Sequence, residues 1–127
     1  MHRDLELVRA LLLKIADVQR PGQALPAESL ALPGYDPVLV AGHLVEMHDE
    51  RLIEVAEYRS LGQLTHELGS IQVMKIWPRG YDLLDSIKAD TVWAATKQRL
   101  ATVGGTASLE IVKQVAAHAA RTMLGLA

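Results

Sequence analysis

The apolar residues between positions 4 and 18 recur every three or four places, which is the spacing of an amphipathic helix. These residues are Leu5, Val8, Leu12 and Ile15, with Leu11 and Val18 at the edges of the stripe. The following Arg20-Pro21-Gly22 ends this helix, because proline cannot continue the hydrogen-bond ladder and glycine relieves the turn.

Prolines dominate the next segment, residues 21–37. They are Pro21, Pro26, Pro33 and Pro37. They exclude a helix of any length and leave room for one short extended piece around Ser29–Leu32. Asp36-Pro37 then predicts a helix start, because Asp caps free backbone amides and proline suits the first helical position.

A second helix is predicted from Pro37 to about Glu50, with one apolar face that points inward. The inward positions are Val40, Leu44 and Met47, with His43 beside them. Two strands follow at Leu52–Arg59 and Ile71–Trp77, which are rich in Ile, Val, Tyr and Trp. A polar, glycine-containing connection of about ten residues joins them.

The C-terminal part of the chain predicts three further helices. The first begins at Pro78, and the second follows a cap or slight break at Asp90. Gly104-Gly105 ends the second, and Thr106 caps a last helix from about Ala107 to Leu124. The expected inward residues include Leu83, Leu84, Ile87, Val92, Trp93, Thr96 and Leu100.

The order helix, strand, long loop, strand in the middle of the chain is that of a winged-helix domain. The sequence therefore predicts an α+β fold, mostly α, with a winged-helix-like small antiparallel sheet and wing plus C-terminal helices. Residues 1–89 form the expected winged-helix-like core. Residues 90–127 form a helical extension packed on it within a single structural domain.

The composition narrows the functional classes. There is no cysteine, which removes disulfides, thiolate metal sites and thiol nucleophiles. No apolar stretch approaches the ~20 residues of a membrane span, and the N-terminal apolar run is too short and too acidic for a signal peptide. We therefore expect a cytoplasmic protein without a membrane partner.

Several short segments are characteristic of one known family. They include Arg3-Asp4-Leu5-Glu6-Leu7-Val8-Arg9, Pro33-Gly34-Tyr35, His43-Leu44, Leu52-Ile53, Gly80 to Leu84-Asp85, Asp90-Thr91-Val92-Trp93, Gly104-Gly105, Ser108-Leu109-Glu110 and Leu124-Gly125-Leu126. In these the chain resembles a bacterial and phage-associated family of winged-helix-like proteins catalogued only as a domain of unknown function. The resemblance implies a winged-helix-like fold and carries no activity. Arg51 stands where the family usually has glycine, and Ile76-Trp77-Pro78 where it has Leu-Thr-Trp.

The charge distribution disfavours the usual mode of DNA recognition. Residues 1–77 hold seven Lys and Arg against eleven Asp and Glu, whereas residues 78–127 hold six against four. The expected outward positions of the central helix are Ala41, Gly42, Val45, Glu46, His48 and Asp49. None of them belongs to the Arg, Lys, Asn and Gln set that pairs with base edges, and the two acids repel phosphate.

Any nucleic-acid contact must therefore come from cations elsewhere. The candidates are Arg59 and Lys75, which flank the loop between the strands, and the C-terminal Lys97, Arg99, Lys113 and Arg121. The loop itself has no interior Lys or Arg, so it is a poor wing for phosphate contacts.

The last predicted helix carries an apolar stripe with small residues that permit close helix approach. The stripe consists of Leu109, Val112, Ala116, Ala119 and Met123. Two interpretations remain open, namely packing on the chain's own preceding helix and a homodimer seam.

No pattern in the sequence predicts catalysis, a metal, a cofactor or a small-molecule site. His43 and His48 are five residues apart, whereas the zinc-protease helix needs four, and the serines lack nucleophile-elbow glycines. We expect a non-enzymatic binding protein. By analogy with the fold it is a phage-type DNA-associated regulator, and the alternative is a protein-interaction or dimerisation adaptor that has lost DNA readout.

Overall fold

The computed structural model describes residues 2–103 and 107–126. Contacts divide the chain into two compact units, Met1–Tyr81 and Asp82–Ala127. The α-helices of the described residues are α1 (Leu5–Val18), α2 (Pro37–Asp49), α3 (Pro78–Ile87), α4 (Asp90–Val103) and α5 (Leu109–Met123). The strands are β1 (Leu25–Pro26), β2 (Ile53–Glu57) and β3 (Ile71–Ile76), which form an antiparallel sheet in the order β1-β3-β2. The predicted α+β, mostly α class is confirmed.

Helix α1 begins and ends where the sequence predicts. The Asp4 side chain caps it by accepting a hydrogen bond from the Leu7 amide at 3.2 Å. The helix ends at Val18, and the positive φ of 76° at Gly22 turns the chain back. Its buried face consists of Leu7, Val8, Leu11, Leu12 and Ile15.

The proline-rich segment differs from the prediction. The extended piece expected around Ser29–Leu32 lies earlier, at β1, where Leu25 and Pro26 pair with β3. A one-turn 3-10 helix then occupies Ala27–Leu30, although helix of any length was excluded. The Ser29 hydroxyl closes this turn by donating to the Pro26 carbonyl at 2.6 Å. Pro26 is tolerated because β1 is an edge strand, where a missing N–H is not required for pairing.

Helix α2 starts as predicted, with the Asp36 side chain accepting from the Val38 amide at 2.8 Å. At its end, Arg51 adopts a left-handed conformation with φ 62°. The Leu52 amide donates to the Met47 carbonyl and the Arg51 amide to the His48 carbonyl, both at 2.9 Å. This is the Schellman arrangement that glycine usually provides. Although Arg51 stands where the family usually has glycine, α2 still ends in the arrangement that glycine favours.

Arg51→Gly is expected to raise the free energy of unfolding by about 0.5–1 kcal/mol. A left-handed conformation costs a side-chain-bearing residue roughly 1–2 kcal/mol, and the greater unfolded-state entropy of glycine offsets part of the gain. Urea denaturation measures the difference. Arg51→Ala is the control because it removes the guanidinium and keeps the Cβ. If the Arg51→Gly protein is no more stable than the Arg51→Ala protein, the left-handed backbone at position 51 does not cost the stability that we infer.

The sheet contains an irregularity that changes which side chains face outward. Glu54 of β2 pairs with Lys75 of β3, but the next residue, Val55, pairs with Val73. The extra residue, Met74, is a bulge. As a result Val73 and Ile76 are both buried, whereas Met74 and Lys75 are both exposed.

The first turn of α3 lies directly against the backbone that follows α2. The Trp77 amide donates to the Leu52 carbonyl at 2.9 Å. A Cβ on Gly80 would lie 2.1 Å from the Leu52 carbonyl oxygen and 2.7 Å from Cγ2 of Ile76. Glycine is thus required at position 80 by a close approach of two backbones.

The unit Asp82–Ala127 has its own buried residues. They include Leu83, Leu84, Ile87, Trp93, Thr96, Leu109 and Val112. Helices α4 and α5 pack against each other, and Ser108 caps α5 by accepting from the Ile111 amide at 3.2 Å. The predicted stop at Gly104-Gly105 and the predicted cap at Thr106 lie outside the described residues.

Candidate binding surfaces

The exposed face of α2 is acidic, as the sequence predicts. Glu46 and Asp49 are exposed, whereas Ala41, expected to point outward, is fully buried. His48 is half-buried because its Nδ1 accepts a hydrogen bond from the Val55 amide of β2 at 3.1 Å. The face of α2 available to a partner therefore presents carboxylates and no cation.

His43 joins α2 to the start of α1. Its Nε2 accepts from the Asp4 amide at 2.8 Å, and its Nδ1 lies 2.9 Å from the Leu39 carbonyl. Since one partner only donates and the other only accepts, the ring is neutral with its proton on Nδ1. With 1% exposure, His43 is a hydrogen-bonded core residue.

The connection between β2 and β3, residues 58–70, is called the wing here. Tyr58, Leu61 and Leu64 project from it with relative exposures of 82%, 106% and 92%. The Arg59 guanidinium donates to the Gln63 backbone carbonyl at 3.0 Å, and Nε2 of the Gln63 side chain donates to the Thr65 carbonyl at 2.9 Å. The loop is therefore held by its own hydrogen bonds while its apolar side chains point into solvent.

The connection was predicted to be polar, but its tip is apolar. Four large apolar residues occur in this segment, namely Tyr58, Leu61, Leu64 and Leu68. Their spacing does not separate the three exposed ones from Leu68, which is buried. At the base of the wing, His66 Nδ1 lies 2.6 Å from a Glu57 carboxylate oxygen. That pair ties the end of the wing to β2.

The structure separates the two cations expected to flank the wing. Arg59 follows β2 at the wing, whereas Lys75 lies opposite Glu54 near the other end of the hairpin. Five residues of extended chain between positions 54 and 59 correspond to roughly 16 Å. Lys75 instead lies over the Trp77 ring, with Nζ 3.9 Å from the ring centroid.

The four C-terminal candidate cations all belong to the unit Asp82–Ala127. Lys97 lies over the Trp93 ring at 5.8 Å, Arg99 contacts the His118 ring, and Lys113 lies 3.9 Å from an Asp82 oxygen. Arg121 is exposed in the last turn of α5. Three of the four thus have contacts within their own unit.

The predicted apolar stripe of α5 is largely used within the chain. Leu109, Val112, Ala116 and Ala119 are buried, and α5 packs along α4. Met123 is 51% exposed, and Ile111, Leu124 and Leu126 are exposed as well.

The phenol of Tyr35 has a pKa that departs clearly from its ordinary value. Burial raises the pKa of the Tyr35 phenol, and the nearby carboxylates of Asp4 and Glu6 raise it further. A tyrosine phenol is already neutral at neutral pH, and the upward shift of the pKa extends that neutral range to higher pH.

The described residues contain no group of three His, Asp or Glu side chains arranged to hold a metal ion. Within the same residues, no helix combines the length and the apolar character needed to cross a bilayer.

Comparisons with known proteins place the chain in a family. A family model described as "Hypothetical protein (DUF2513)" matches residues 2–107. The chain belongs to this family, and the resemblance to a family of unknown function is confirmed. An "Uncharacterized protein" of Haemophilus influenzae is 33% identical over 117 residues, which is 91% of this chain and 92% of that protein. No solved structure matches the chain.

Proposed function

We propose that this chain is a non-enzymatic protein-binding module with winged-helix topology, and that the wing is its main contact. The observation that carries the proposal is the exposure of Tyr58, Leu61 and Leu64 on a loop held by its own hydrogen bonds. Large apolar side chains favour burial, so three of them fully in solvent on one short loop support an interaction site there.

The order of elements supports the winged-helix assignment. Helix α1, strand β1, the 3-10 turn at Ala27–Leu30, helix α2 and the β2–β3 hairpin follow the winged-helix order, with β3 central in the sheet. The single 3-10 turn takes the place of the helix that normally crosses the DNA backbone. One turn gives little surface for that purpose, which favours a scaffold adapted to another partner.

The electrostatics of the same scaffold favour protein over DNA. Helix α2, which would enter the major groove, exposes Glu46 and Asp49. The wing holds its cation, Arg59, against its own Gln63 carbonyl. Both surfaces lack the free cations that phosphate contacts need, whereas aromatic and aliphatic side chains suit a protein interface.

Photo-crosslinking from position 61, in cells that make the protein, is expected to give a discrete protein adduct. Combining Tyr58→Ser with Leu64→Ser should reduce that adduct about tenfold or more, because a few buried apolar anchors carry most of the binding energy. Mass spectrometry of the adduct identifies the partner.

The control places the crosslinker at Gln98, an exposed position of α4. An adduct pattern that is the same from positions 61 and 98 would contradict a specific role for the wing. If nuclease digestion removes the adducts, the partner crosslinked at the wing is a nucleic acid and the proposal of a protein partner is wrong.

A DNA-associated regulator is the second candidate, and the winged-helix order of elements is the observation that favours it. Its contacts would come from Lys97, Arg99, Lys113 and Arg121 rather than from α2. Binding of mixed-sequence duplex DNA in a salt series tests it. Phosphate contacts are strongest at low salt, so absence of binding at about 50 mM salt excludes this candidate.

A further inference from the structure

We infer that a second surface, formed by Arg20, Arg51 and Lys75 around Trp77, binds an acidic segment of a partner polypeptide. The inference rests on the proposed function in taking the partner to be a protein. This second surface and the wing are different parts of the unit Met1–Tyr81. We call these four residues the basic surface.

The bulge in β3 creates the centre of this surface. Because Met74 is the extra residue, Lys75 is turned outward beside it instead of toward the core. The Lys75 ammonium lies 3.9 Å from the centroid of the Trp77 ring, which orients it by a cation–π interaction. A cation that is already held in place loses less conformational entropy when it binds an anion.

Two concave regions adjoin the Lys75–Trp77 pair, because Lys75 lines one of them and Trp77 lines the other. One, of about 170 Å³, lies between the end of α1 and β3, and Arg20, Lys75, Ile76 and Tyr81 are among its lining residues. The other, of about 210 Å³, is lined by His48, Asp49, Arg51 and Trp77. The first region combines two cations with apolar and aromatic side chains, so it suits side chains of an acidic, partly apolar peptide. The second offers Arg51 and Trp77 beside the Asp49 carboxylate, so we assign its contact with an acidic residue to Arg51 alone.

The three cations lack the ion pairs that neutralise others in the same unit. Within the described residues, no carboxylate oxygen lies within 4.0 Å of Arg20, Arg51 or Lys75, whereas Arg3 and Arg79 both contact Glu50, at 2.8 and 3.8 Å. A carboxylate from outside would therefore meet cations that are not held in a direct ion pair, with Glu54 opposite Lys75 and Asp49 beside Arg51 as the nearby acidic residues.

A peptide fits this surface better than a nucleic acid does. Residues 1–81 hold eight Lys and Arg against eleven Asp and Glu, so the unit as a whole repels a polyphosphate. One face of the Trp77 ring is already covered by the Lys75 ammonium, which leaves less aromatic surface for base stacking. A segment with two or three carboxylates experiences weaker long-range repulsion and still engages the cations.

Fluorescence anisotropy with a short fluorescein-labelled peptide of Glu and Leu tests the inference on the full chain. Arg20→Glu combined with Lys75→Glu is expected to weaken binding about tenfold or more, because attraction becomes repulsion at the contact. In nuclear magnetic resonance spectra, the peptide should shift the indole N–H signal of Trp77 and leave that of Trp93, which is 3% exposed, in place.

The matched controls separate local contact from overall charge. Two further charge reversals, Arg121→Glu with Lys88→Glu, change the net charge equally at exposed positions of the other unit and should alter affinity less than about twofold. A peptide with Gln in place of Glu should not bind. Equal losses in both double variants would overturn the inference, as would tighter binding of single-stranded DNA of matched charge.

A second copy of the chain is the remaining competitor for this surface. Sedimentation that shows a dimer abolished by Arg20→Glu with Lys75→Glu would overturn the inference in favour of self-association. The wing variant Tyr58→Ser with Leu64→Ser should bind the acidic peptide normally. Failure of the crosslinking experiment at the wing and failure of peptide binding here are thus distinguishable.

Discussion

Gly80→Ala is expected to lower the free energy of unfolding by about 3 kcal/mol or more, since overpacking against rigid atoms is among the costliest substitutions. The new Cβ would lie 2.1 Å from the Leu52 carbonyl oxygen, and that oxygen also accepts the Trp77 amide. Helix propensity alone predicts the opposite, a gain of about 1 kcal/mol for alanine. The clash decides the sign because the obstructing atom belongs to the backbone and cannot rotate away.

Thermal and urea denaturation measure this effect, and we expect a fall in Tm of roughly 10 °C or more. Gly69→Ala is the matched control. Its Cβ would lie 3.0 Å from a terminal oxygen of the flexible Glu28 side chain, which can move. A Gly80→Ala protein as stable as the Gly69→Ala protein would show that α3 does not need the close approach.

Removing the His43 side chain has the second large expected effect. His43→Ala should cost about 3–4 kcal/mol, which combines a cavity with an unsatisfied buried amide at Asp4. The reason is the position of the ring, which accepts the Asp4 amide at 2.8 Å and thereby joins the start of α1 to α2. Urea denaturation gives the difference, and faster amide hydrogen exchange at Asp4 locates it.

Two further variants separate packing from hydrogen bonding at this position. His43→Leu fills much of the volume and cannot accept a hydrogen bond, whereas His43→Gln brings an acceptor toward the Asp4 amide. If the hydrogen bond matters, the Gln variant is more stable than the Leu variant. The reverse order would mean that His43 contributes mainly by filling space.

The elements with long, regular patterns were predictable from the sequence. The bounds of α1 and the Asp36-Pro37 start of α2 depend on residues that are neighbours along the chain, and both predictions were confirmed. The predicted stripe of α1 was wrong at its edges, because Leu7 is fully buried whereas Val18 is 41% exposed. Strand β1 was misplaced because a two-residue strand has no pattern of its own. It exists only because β3, distant in sequence, offers a partner for Leu25 and Pro26.

The candidate surfaces were less predictable because they depend on geometry. The acidic face of α2 followed from helical spacing, but Ala41 was misassigned because α2 is buried over more of its circumference than one stripe suggests. The basic surface was missed because Arg20, Arg51 and Lys75 lie on three different segments. A bulge of one residue, invisible in the hydropathy pattern, sets the orientation of Lys75.

The hydrogen bond from the Val55 amide to the His48 ring lies on strand β2, at the edge of the sheet. Strand β2 is at the border of the sheet, where open main-chain groups invite a foreign strand to join and can lead to aggregation. The His48 imidazole accepts a hydrogen bond from one of those groups, the Val55 N–H, so this N–H is not available to a foreign strand. Extension of the sheet by an incoming chain is thereby disfavoured at this point, which is consistent with the proposed contact through side chains at the wing tip.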